Sequence, residues 1–103
     1  MIIKLTEIMK TSRFMNSEGL LSTDDYVLKE VFINPKHVVC LREDKVYKKL
    51  LMEDRLMENL DKEQRFTRVY LDRGQAGIEM TVIGSPSSIQ EKIGSVTKQL
   101  LRG

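Results

Sequence analysis

The residues whose types and spacing could do chemistry in this chain lie in one short run, RFTRVYLDR, where Arg65, Arg68 and Arg73 surround and interrupt a segment carrying Phe66 and Tyr70. Successive side chains of an extended strand point to opposite faces, so Phe66, Arg68 and Tyr70 share one face and Val69 and Leu71 the other. An arginine and aromatic face has three readings. Its rings can stack on bases while its guanidinium groups contact phosphate. It can be an outer sheet face buried in a dimer, since arginine and tyrosine are enriched in interfaces. It can also be ordinary exposed sheet.

Other chemistry is harder to assemble. A catalytic centre needs converging groups at usable spacing, and the sequence holds no Gly-x-Ser-x-Gly elbow, no phosphate loop, no Gly-x-Gly-x-x-Gly and no His-Glu-x-x-His. His37 is the single histidine, so one subunit cannot build a histidine cluster or dyad, and a structural or solvent-exposed role is expected for it. Glu53, Asp54 and Glu58 are regularly spaced but have Lys49 and Arg55 as neighbours, the make-up of a solvated helix face. The single cysteine, Cys40, sits in the apolar run HVVCL, where a free thiol behaves as a small buried hydrophobe. With no partner cysteine, a reducing, cytoplasmic compartment is the expected one. The reading is therefore non-enzymatic, without cofactor or metal.

Charge points to no dominant partner. Seventeen basic and 15 acidic residues are interspersed and give a formal net charge of +2, too even for the one-sign field typical of nucleic-acid binders. Nucleic acid stays possible without being demanded. No apolar run reaches the roughly 18 residues of a membrane-spanning helix, and the amino terminus has no basic-then-apolar signal pattern, so membrane insertion is not expected. The 103 residues suit one domain, residues 1–103, with a single core.

The elements that must position the arginine face follow from periodicity. Thr67, Val69 and Leu71 alternate with Arg68, Tyr70 and Asp72, then Ile78, Met80 and Val82 alternate with Glu79 and Thr81. Gly74 and Gly77 between them supply the positive φ a hairpin loop needs. Gly84 and Ser85 end the second run, and Ser85-Pro86 is a helix start: the serine oxygen accepts an orphan N–H, and proline in the first turn loses no bond. Ile89, Ile93, Val96 and Leu100 recur at helical spacing, with Gln90, Glu91, Lys92 and Lys98 off that face, so this helix should lie across the sheet.

Toward the amino terminus, residues 1–9 read as a strand with Ile3 and Leu5 facing one way and Lys4 and Thr6 the other. Residues 10–25 carry turn-forming residues anchored by Phe14, Met15, Leu20 and Leu21, and read as a long loop. Tyr26–Ile33 is a strand closed by Asn34-Pro35. HVVCL reads as a strand buried on both faces. Residues 44–60 have the length and composition of a helix N-capped by Asp44, with Val46, Leu50, Met57 and Leu60 in register and Glu53 interrupting the stripe; a hairpin arm over 45–52 competes with it.

Together these segments resemble the small flagellar and swarming-motility proteins called the FlbD-like family. The similar parts are the opening MIIKLTEI, the hydrophobic-Asn-Pro step into a short strand in FINPKHVVCL, and two strands with a serine-led helix in TRVYLDRG and GIEMTVIGSPSSIQEKI. About half the chain is covered, and residues 10–25 and 42–66 have no counterpart. The resemblance implies a compact β module with a helix and a non-enzymatic role, and brings no catalytic residues.

The expected fold class is α+β: a small, mostly antiparallel sheet of about four strands with a carboxy-terminal helix and a helical insertion. The expected function is an interaction or regulatory module, self-associating and contacting a protein partner. The alternative is a nucleic-acid-binding regulator using Phe66, Arg68 and Tyr70 with Arg65 and Arg73.

Overall fold

The computed structural model describes residues 2–11, 25–57, 59–73 and 76–102. The reading of 10–25 as an anchored loop therefore falls almost wholly outside the described residues; only its ends appear, at the close of one strand and the start of the next. The elements are β1 (Ile3–Thr11), β2 (Asp25–Ile33), a 3-10 turn (Pro35–His37), β3 (Val38–Glu43), α1 (Lys45–Met52), β4 (Phe66–Arg73), β5 (Ala76–Ile83) and α2 (Pro86–Arg102). Five strands, one more than expected, form one sheet in the order β2-β1-β5-β4-β3. Every neighbouring pair is antiparallel. The fold is thus a small α+β unit.

Period-two alternation gives this sheet two different faces. On the first, Ile3, Leu5, Ile33, Val69, Leu71 and Val82 meet Ile89 of α2, with Ile78, Met80 and Ile93 packed around them. On the second, Ile8 and Phe66 meet Leu51 of α1, flanked by Tyr26, Tyr47 and Ile83. Strand β1 serves both, because Ile3 and Leu5 have one parity and Ile8 the other. The inward assignment of Val69, Leu71, Ile89 and Ile93 holds; the side chains of Val96 and Leu100 lie outside the described residues.

Local chemistry explains the ends of the elements. Asn34 Oδ1 accepts from the Lys36 N–H at 3.0 Å, which turns the chain after β2. The hairpin β4–β5 forms as expected, but Gly77 sits inside β5, and the described glycine with positive φ is Gly84, at 123°. Its N–H reaches Arg65 O at 2.9 Å and its carbonyl accepts the Thr67 hydroxyl at 2.7 Å, so Gly84 turns the chain from β5 into α2. The Ser88 N–H then donates to Ser85 Oγ at 3.2 Å, the cap expected from Ser85-Pro86.

Three readings are corrected. The helix after Asp44 covers only Lys45–Met52, not the stretch to Leu60. Asp54 takes φ 57°, and the Asp54 and Arg55 N–H groups bond back to Leu51 O and Leu50 O at 3.1 and 2.9 Å, closing the helix in a Schellman turn. Leu56, Met57 and Leu60 still pack on the second core, from a turn-rich connection tied to α1 by Lys48 and Lys62 amines on backbone carbonyls. Strand β3 is not buried on both faces: it is an edge strand, and Val39 is 65% exposed. Phe66 is not on an open face either. It is fully buried, because α1 covers that end of the second face.

Candidate functional site

The second sheet face divides into a covered end and an open end, and Asp44 stands at the boundary. Its carboxylate is withdrawn from solvent and fully engaged. Oδ1 accepts the Val46 and Tyr47 N–H groups at 2.9 and 3.0 Å, capping α1. Oδ2 accepts the Thr81 hydroxyl at 2.8 Å and lies 3.4 Å from Arg68 Nη2. One side chain thus joins α1 to β5 and β4. Short-range sequence reading finds the cap; it misses the contact to Thr81, which is 37 residues away.

Arg68 lies across this network, with its Nε 3.2 Å from Glu79 Oε1 on the neighbouring strand. The neighbouring Tyr70 hydroxyl, and then the Asp44 and Glu79 charges, raise the guanidinium above its ordinary value. Arg42 of β3 lies beside them, its guanidinium carbon 5.9 Å from the centre of the Tyr70 ring. That is within reach of a cation–π contact. Val39, Cys40, Arg42, Tyr70 and Glu79 line a shallow groove of about 530 Å³ at this open end.

Arg65 points elsewhere. Immediately before β4, it makes a two-pronged pair with Glu43 at the end of β3, both contacts 2.7 Å. This bond outweighs the desolvation that pushes the other way and lowers the Glu43 carboxyl from its ordinary value, and in turn it raises Arg65. Of the five candidate residues, then, the structure brings together Arg68 and Tyr70. Phe66 is in the core beneath α1, Arg65 is paired with Glu43 at the end of β3, and the Arg73 side chain lies outside the described residues. Arg42 and Glu79, which the sequence reading did not select, complete the open face through strand register: Arg42 opposes Arg68, and Glu79 opposes Tyr70.

The chemistry available is that of a paired-charge surface. Among the described residues, every buried side-chain nitrogen and oxygen has a hydrogen-bond partner. No group of three or more histidine, cysteine, aspartate or glutamate side chains among them is arranged to hold a metal ion. Nor is any helix among them long and apolar enough to cross a membrane. His37 is exposed in the 3-10 turn, and Cys40 is half-buried rather than sealed in a core.

Apolar surface is the other resource. Ile2 and Phe32 are 64% and 62% exposed at the same end of the sheet. Both border a groove of about 530 Å³ whose floor includes Val31, Ile33, Ile78 and Met80. This defines the class of molecule as a five-stranded antiparallel sheet with two helices, ion-paired on one open face and apolar at one edge. Comparison with protein-family models, curated proteins and solved structures gave no match to the chain.

Proposed function

We propose that this chain is a non-enzymatic interaction or regulatory module that self-associates. The observation that carries the reading is the exposed apolar end of the sheet, where Ile2 and Phe32 stand out beside the groove over Val31 and Ile33. Contiguous apolar surface of this kind marks protein contact more often than isolated exposed residues do. The polar groups of the second face support the same reading, since Asp44, Arg68 and Glu79 are committed to one another. A cytoplasmic setting accords with a lone half-buried thiol, and the FlbD-like resemblance accords with a non-enzymatic β module.

The alternative is a regulator that binds nucleic acid through Arg68, Tyr70 and the neighbouring Arg42. Its supporting observation is the Arg42–Tyr70 stack on an open sheet face. Against it, a phosphate would have to displace Asp44 or Glu79 from Arg68 and Glu43 from Arg65. Titration with single-stranded DNA and RNA at low salt separates the readings. The module reading predicts no salt-sensitive binding, whereas a complex that weakens steeply as salt rises would establish the alternative.

A further inference from the structure

We infer that the outer edge of β2 is the self-association surface, and that a second copy of this chain adds to it antiparallel, with Phe32 on the two-fold axis. The inference rests on the self-association reading and specifies where it acts.

The two edges of the sheet are not equivalent. Strand β3 carries the usual protections against pairing: it has six residues, a register shift between Val38 and Cys40, and Pro35 with its 3-10 turn just before it. Strand β2 is less protected: Lys29 and Glu30 put charge on it and Pro35 lies beyond its end, but it is neither short nor bulged. It runs nine residues in unbroken register with β1, from Ile3 opposite Ile33 to Thr11 opposite Asp25, with no proline and no bulge. Every second residue of such a strand directs its N–H and C=O away from its partner. Among the described residues no element pairs with that side. Three of the six exposed large apolar side chains among the described residues lie on or beside it: Phe32 and Leu28 are on β2 itself, and Ile2 immediately precedes β1.

Charge and the cover of exposed apolar surface together select the register. A two-fold axis perpendicular to the sheet keeps each face on its own side, so residues of equal parity face each other across the new seam. An axis through Lys29 sets two lysines opposite, and one through Glu30 sets two glutamates opposite; like charges directly across a ladder are destabilising. Axes through Leu28 or Val31 set apolar side chains against Lys29 or Glu30. Axes through Val27, Phe32 and Ile33 all avoid these conflicts, but the first carries the exposed Phe32 beyond the paired residues and the last sets it against Asn34, so the Phe32 axis is the one that covers this ring with apolar surface. Phe32 then faces its own copy, Val31 faces Ile33, and Glu30 faces the amide of Asn34. Lys29 meets Pro35, which ends the pairing, and Lys4 stays 3.7 Å from Glu30 in each copy. The first-face groove over Val31 and Ile33 adjoins the same seam.

The test is sedimentation of the full chain and of two substitutions at equally exposed positions, Phe32→Lys at the β2 edge and Val39→Lys at the β3 edge. Both side chains are more than half exposed, so neither change disturbs a core, and circular dichroism confirms the fold. The expected result is a wild-type dimer whose dissociation constant rises about tenfold or more in Phe32→Lys and little in Val39→Lys. A wild-type dimer unaffected by Phe32→Lys, or weakened equally by Val39→Lys, overturns the assignment of the edge while leaving self-association in place. A wild-type chain that stays monomeric to about 100 μM overturns the self-association reading itself, and the inference with it.

Discussion

At the scale of single residues, Asp44 is the most consequential side chain. Replacing it with alanine removes an N-cap and leaves the Thr81 hydroxyl and Arg68 without their shared acceptor. The cap is worth about 1 kcal/mol and the orphaned partners a further 1–3 kcal/mol, so Asp44→Ala should cost about 2–4 kcal/mol. Urea unfolding checks this as a lowered midpoint at unchanged slope. Asp44→Asn, which keeps an acceptor oxygen for the cap, should cost less. Glu43 gives a prediction in pH. Its carboxyl is lowered in the folded chain by the Arg65 bond, so it contributes stability above its unfolded titration range. That contribution is lost as pH falls through the lowered folded value. The stability gap between wild type and Arg65→Ala should therefore be level near neutrality and close on the acid side of the ordinary glutamate range. A gap that persists or widens there would disprove the assignment.

At the scale of elements, two glycines of the β5–α2 unit should respond in opposite ways to alanine. Gly84 has φ 123°, and an added Cβ would lie 2.9 Å from Ser88 Oγ and 3.2 Å from Ile89 Cδ1. Gly84→Ala should cost about 1–2 kcal/mol. Gly94 is inside α2 with nothing within 4 Å of an added Cβ, so Gly94→Ala should gain about 0.5–1 kcal/mol. Thermal unfolding of the two variants checks the pair of signs. The same unit shows what was legible in the chain. Alternation in β4 and β5, and the Ser85-Pro86 start, are local signals, and the structure bears them out. The end of α1 was less legible, because its terminator is Asp54 in a left-handed conformation, where a glycine would have announced the turn. The reading of Phe66 failed for a non-local reason: period two correctly separates it from Val69, but only the packing of α1 decides that its face is closed at that end. Burial of β3 was misjudged in the same way, since strand order, which places it at an edge, is not written in its own short apolar run.

At the scale of the whole molecule, the sheet is asymmetric. One face is packed by α2, the other is half covered by α1 and otherwise ion-paired, and the two edges differ in how well they are protected. The central claim is that the exposed apolar end of this sheet is a surface for a second copy. Sedimentation equilibrium of the unmodified chain across a concentration series tests it most directly. The account predicts a reversible monomer–dimer equilibrium in the micromolar range that persists at high salt, because apolar contact and backbone pairing are screened little. A single species of monomer mass at every concentration would contradict it.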